Sequence, residues 1–265
     1  QTGPYRDLAG HDLNYCSLAG LTDQAGEPGR DPVVPNFQVA DILGGALVPA
    51  MGILAALYDA QRSGHGRYVD VAMSEGVLAH NVQALSAVAT RGRANAAGSD
   101  LLSGREACYR VYRTADGRHM AVGALETKFW HEVCDVVGRP DLKPHHWAAD
   151  GDPAPAIAVL QALFATRTQA QWVEAFAGHD CCVTPVKPFE EALDDPQHVA
   201  RGMVVRAPHP TEGEVLQVAL PLKLSDYTFE ITRPAPATGE HNEELLRALG
   251  LTDETIRTLK AKRVV

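Results

Sequence analysis

The stretch from Ile42 to Arg62 constrains the fold more than any other part of the chain. Leu43, Leu47, Met51, Leu54 and Leu57 recur through it at helical spacing, which predicts one long, largely buried helix. Pro49 has no backbone N–H, so it must kink this helix or delay its regular start. Ser63-Gly64-His65-Gly66 ends it, since glycine closes a helix in the left-handed conformation. Tyr68 to Ala72 then reads as a short strand, and Ser74 with Glu75 opens another helix to about Ala89. Helix, strand, helix is a piece of an α/β domain.

At 265 residues the chain can form one large domain or two smaller ones, burying roughly three quarters of its unfolded surface. A formal net charge of −9 argues against a general nucleic-acid binder, which gathers Lys and Arg on a basic face. It leaves room for an anionic small ligand held by local arginines or a helix N-terminus. No apolar run is expected to reach the length of a membrane span, and no signal-peptide pattern stands at the start. The five cysteines are odd in number, without zinc or redox spacing. Adjacent Cys181 and Cys182 could be oxidised, but the expectation is buried thiols in a reducing cytoplasm. Composition rich in Ala, Gly, Asp and Arg points to a bacterial, cytoplasmic protein with no contact to nucleic acid or membrane. The chain opens at Gln1, and Gln1 to Tyr5 reads as the middle of a loop, so a fragment of a longer protein is expected.

Residues 22–36 read as a surface loop. The composition shift after Arg91 makes residues 91–107 a linker. It separates a first part, 1–90, from a smaller domain, 108–200. Two β-prone runs in that domain flank Thr114-Ala115-Asp116-Gly117, a hairpin signal because Asp-Gly suits a tight turn. Helices are expected at 127–138, 154–166 and 168–177, the last opened by Thr168, and a short one at 189–194. Residues 201–265 supply paired strands at 203–207 and 215–220 and two C-terminal helices, the second capped by Thr252.

Five sites are weighed for candidate chemistry. His11 can take or give a proton near neutral pH, but a loop histidine is also a common surface or structural group. Asp41, just ahead of the apolar helix, is either its N-cap or a carboxylate at a pocket wall. In the second case Gly44 and Gly45 would let a ligand approach the backbone. Glu126 follows an apolar strand and precedes a helix, where a glutamate is solvated, caps the helix or takes part in a site. Asp70, between valines, is expected to pair with a buried polar group. His145 and His146 beside Trp147 read as a solvated loop, since no second ligand pair makes them a metal site.

Several segments in order carry a resemblance: Gly10-His11-Asp12-Leu13-Asn14-Tyr15, Gln38 to Gly45, Gly52 to Leu57, Gly64 to Val71, Tyr112 to Gly117, Ala121 to Glu126, Pro196 to Met203 and Gly239 to Asn242. The chain resembles the family III CoA-transferases (CaiB/BaiF), and within them the α-methylacyl-CoA racemase-like branch. The resemblance implies a partial Rossmann-like large domain plus a smaller α+β domain, in an α/β fold of the interlocked-dimer type. It also implies an upstream segment that normally begins the large domain and carries much of the CoA-binding surface. The implied reaction interconverts (2R)- and (2S)-2-methylacyl-CoA thioesters, in lipid metabolism, by proton transfer through an enolate. His11, paired with Glu126 from the other subunit's small domain, is then the base on one face, and Asp41 the acid/base on the other. A backbone N–H near Asp12 would help hold the enolate oxygen, Tyr15 would line the acyl pocket, and Gly44 and Gly45 would approach the substrate. No metal or cofactor is implied beyond the coenzyme A carried by the substrate. Two departures bear on substrate preference: Gly104 to Tyr109 replaces the branch's Ala-Pro-Phe-Tyr-like segment, and Phe37 stands where an asparagine is common. Two alternatives remain: CoA transfer with Asp41 as nucleophile, through an aspartyl-CoA thioester, and a silent chain that keeps only the dimer scaffold.

Overall fold

The computed structural model describes residues 1–148 and 151–265, which fall into two units, residues 1–186 and 187–265. The first unit begins with α1 (Asp12–Leu18) and α2 (Leu21–Gln24). The apolar stretch then folds as one continuous helix in two geometries. A π-helix, Ala40–Leu47, runs into α3 (Val48–Ser63), with Pro49 in the first turn of α3. The delayed regular start is thereby met, because Pro is tolerated in a first turn. Gly64, at φ 76°, closes α3 by donating its N–H to the Ala60 carbonyl at 2.9 Å. Helices α4 (Met73–His80) and α5 (Val82–Arg91) follow, separated by Asn81.

Four expectations for this part are corrected. The apolar helix is not buried: α3 contains no buried residue, and Leu54 is 67% exposed. Periodicity tells which residues share a face, not what covers it. Because the helix continues through Pro49, the 24 residues Ala40–Ser63 are long and apolar enough to cross a membrane by length and composition. The sequence expectation, which took Pro49 as an interruption, is overturned on that point. Tyr68 to Ala72 is not a strand; among the described residues no strand precedes Tyr109. An extended segment becomes a strand only when a neighbour takes its N–H and C=O groups, and here none does. Asp70 within it, expected to pair with a buried polar group, stands exposed.

The rest of the first unit is built on an antiparallel sheet. Strands β1 (Tyr109–Arg113) and β2 (His119–Gly123) form the expected hairpin, with Gly117 at φ 79° and the Thr114 hydroxyl donating to Asp116. Helices α6 (Thr127–Val136), α7 (Ala154–Phe164) and α8 (Gln169–Ala175) pack on it. Thr168 caps α8 by accepting from Gln171 N–H at 3.3 Å. A third strand, β3 (Val183–Pro185), pairs with β2. It escaped the sequence reading because three residues are too short to show a period. The core of this region holds Trp130, Leu160, Phe164 and Tyr112 with no measurable exposure.

In the second unit, α9 (Phe189–Leu193) and α10 (Pro196–Ala200) precede the hairpin of β4 (Val204–His209) and β5 (Gly213–Val218). Helices α11 (Asn242–Ala248) and α12 (Asp253–Ala261) end the chain, with Thr252 capping α12 as expected. The whole is a mixed α/β fold.

Candidate active site

His11 and Asp41 are linked through Asp12, the residue that follows His11. One oxygen of the Asp12 carboxylate accepts from Ala40 N–H at 2.6 Å and from Asp41 N–H at 3.1 Å. These are unsatisfied donors at a helix start, where the positive end of the helix favours a carboxylate. The other Asp12 oxygen receives the Cys16 thiol at 3.7 Å. His11 is the N-cap of α1, its own N–H donated to Asn14 Oδ1 at 3.1 Å. Asp41 lies in the first turn of the π-helix. Asp12 therefore does the capping that the sequence offered to Asp41, and the Asp41 side chain stands exposed. Wide π-type turns recur at functional sites because they re-aim side chains that a regular helix would direct elsewhere.

A small apolar cluster supports this clasp: Cys16, Ala19, Ala40 and Val77, with Tyr15 and Met73 against it. Burial, the largest cause, pushes the Cys16 thiol up. The Tyr15 ring lies over Gly10, where a Cβ would come within 3.0 Å of it. Gly44 and Gly45 behave differently from the expectation that they leave room for a ligand. A Cβ on Gly44 would stand 2.4 Å from the Met73 carbonyl oxygen, and one on Gly45 3.1 Å from the Met73 side chain. Gly76 meets Gly44 in the same way, its Cβ position 2.6 Å from Gly44 Cα. The missing side chains let α4 approach the π-helix backbone; they are packing glycines on that face.

Glu126 is the N-cap of α6, yet its carboxylate makes no cap bond. Its side chain is long for that task, and it is exposed. Among the described residues no hydrogen bond or ion pair joins Glu126 to His11 or Asp41. Beside Glu126 lies Cys182, an exposed residue at φ 58° whose carbonyl accepts from Gly123 N–H at 2.9 Å. Burial first, then the Glu126 carboxylate, pushes this thiol up. Of the expected buried thiols, Cys182 is thus the exception. A cavity of about 490 Å³ is lined among others by Tyr109, Arg110, Gly123, Cys182 and Thr184.

His146 also departs from the sequence reading: it is buried, not solvated. Sequence reasoning missed it, the Asp12 clasp and Cys182. Asp12 reaches partners 28 and 29 residues away, a separation no local pattern reports.

Comparison with known proteins agrees with this fold. A solved CaiB/BaiF family protein from Brucella suis superposes with a TM-score of 0.74 at 24% identity, covering 94% of this chain and 65% of that one. The fold is therefore of the CaiB/BaiF type. The model of the family described as CoA-transferase family III matches residues 1–242, and the chain belongs to that family. It is 35% identical to alpha-methylacyl-CoA racemase of Homo sapiens, over all of this chain and 69% of the racemase. It is 29% identical to succinyl-CoA–D-citramalate CoA-transferase of Chloroflexus aurantiacus, over all of this chain and 67% of the transferase. The chain thus spans about two thirds of the proteins it resembles.

Proposed function

We propose that the chain carries the acid/base machinery of a racemase that interconverts the two C2 epimers of a 2-methylacyl-CoA thioester. The observation that carries this reading is the Asp12 clasp, which ties His11 and Asp41 together while relieving Asp41 of helix capping. The human racemase at 35% identity supports the same choice. In the proposed reaction one group removes the weakly acidic α-proton, and the electron pair moves onto the thioester oxygen as an enolate. The other group returns a proton to the opposite face, leaving the thioester intact. Glu126, supplied by the second chain of a homodimer, orients His11 and favours its protonated form. Tyr15 lines the acyl group, and backbone near Asp12 faces the enolate oxygen.

A second reading has one observation of its own. An exposed Asp41 carboxylate is also a nucleophile, and the Chloroflexus relative is a CoA-transferase. Incubation with a single epimer in deuterium oxide separates the two. Uptake of one deuterium at C2 with loss of optical purity supports the racemase. Unlabelled thioester, together with hydroxylamine-sensitive CoA on Asp41, establishes the transferase instead.

A further inference from the structure

The buried ring of His146 is used by nothing described so far, and it bonds the residues on either side of Leu125-Glu126. Its Nε2 lies 3.1 Å from the Ala124 carbonyl oxygen, which only accepts, so Nε2 carries the proton and donates. In the neutral ring Nδ1 then accepts, and the Thr127 hydroxyl is its partner at 3.4 Å. Ala124 and Thr127 bracket the two-residue turn Leu125-Glu126. The ring itself is fixed from two sides. It stacks on Trp130 of α6 at 5.9 Å and 9°, and lies 4.2 Å from the Trp147 ring. Trp130 in turn donates Nε1–H to the Leu142 carbonyl at 3.1 Å, which pins the segment leading into His146. The segment leaving it is held by the buried Glu106 carboxylate, which accepts from Ala148 N–H at 3.1 Å.

We propose that His146 is a positioning residue for Glu126: gripping the turn at Ala124 and Thr127, it sets the direction in which the Glu126 carboxylate leaves the start of α6. This rests on the reading that Glu126 serves His11 in proton transfer. The groups facing the ring are Glu106, ahead of β1, and His131, on α6. Burial dominates them and holds the ring below the usual histidine range, in the neutral form that makes both bonds. An acid/base group displaced by an ångström can lose up to about 100-fold in rate. Positioning of this kind therefore has a measurable signature.

The test compares the full chain with His146→Phe, His146→Gln and Thr127→Val, following deuterium uptake at C2 of a 2-methylacyl-CoA thioester and amide hydrogen exchange over residues 125–128. The Phe variant keeps the stacking and loses both bonds. It is expected to lower kcat roughly 10- to 100-fold with KM little changed, and to speed amide exchange in the turn. The Gln variant, whose amide can donate to Ala124, restores much of both. Thr127→Val leaves the ring in place and shows a smaller loss of the same kind, which keeps the claim testable should the Phe variant not fold. A His146→Phe protein with wild-type kcat, or Phe and Val variants with unchanged exchange at 125–128, overturns the proposal. Should the wild type itself take up no deuterium, the racemase reading falls, and amide exchange alone decides whether His146 holds the turn.

Discussion

Two regions of the first unit handle apolar surface in opposite ways. Around the three-stranded sheet, Trp130, Phe164, Leu160 and Tyr112 have no measurable exposure, and Tyr112 still satisfies its hydroxyl by donating to the Ala107 carbonyl at 2.7 Å. In α3, sixteen residues bury none, although the helix it continues is apolar enough to cross a membrane. The first region closes its own core; the second presents a face that calls for a cover. His11 and Asp41 are on the side of the molecule with the small cluster, Glu126 on the side with the large one. A platform that closes its own core thus carries one candidate residue, and an unclosed helical assembly carries the other two.

The sharpest way to break this contrast is a pair of truncations. Trp130→Ala empties a fully buried site and is expected to cost about 3–5 kcal/mol in urea unfolding. Leu54→Ala on α3 should stay within about 0.5 kcal/mol if that face is bare in solution. A cost for Leu54→Ala of the size seen in cores would show that a second chain covers α3.

Gly44→Ala comes next. Its added methyl meets Met73 backbone, which cannot swing aside, so a loss of about 1–3 kcal/mol and a displaced Asp41 are expected. Wild-type stability and activity together would contradict the close packing of the π-helix on α4. Asp12→Ala leaves the Ala40 and Asp41 N–H groups without their acceptor and should cost about 1–3 kcal/mol. Activity should fall further than stability accounts for, which a comparison of kcat with the folded fraction checks.

The sheet region should also respond to acid through His146. Its folded-state value lies below the ordinary histidine range, so stability is fully present above about pH 6.5 and is lost as the unfolded chain takes up a proton below that pH. Unfolding midpoints between pH 7.5 and 5 should show this fall, and His146→Phe should flatten it. The smallest effect expected is chemical. In the native chain an alkylating reagent should modify Cys182 first, because it is the exposed thiol while Cys16, Cys108, Cys134 and Cys181 are buried. Equal rates at Cys181 and Cys182 would contradict the burial of the former.

The parts legible in the sequence are those whose cause is local. Asp116-Gly117 specified its hairpin, Gly64 its helix end, and Thr168 and Thr252 their caps, because each acts on backbone within a few residues. Pairing across distance was not legible. Tyr68 to Ala72 has the alternation of a strand but no neighbour to bond. Gly44 looked like space for a ligand until α4 occupied it. His146 looked like a surface residue until two tryptophans and Glu106 enclosed its segment.

By itself the sequence named candidate acid/base residues and located those helix ends and the hairpin that local caps and turns define, since propensity, capping and turn geometry are short-range; it did not show that the helix expected from Ser74 to Ala89 breaks at Asn81. Tertiary structure alone decided that Asp12 caps the π-helix in place of Asp41, that His146 bonds the backbone and side chain on either side of Glu126, and that the longest apolar helix lies open. Each of these depends on contacts between residues far apart in the chain, whose partners no local pattern names.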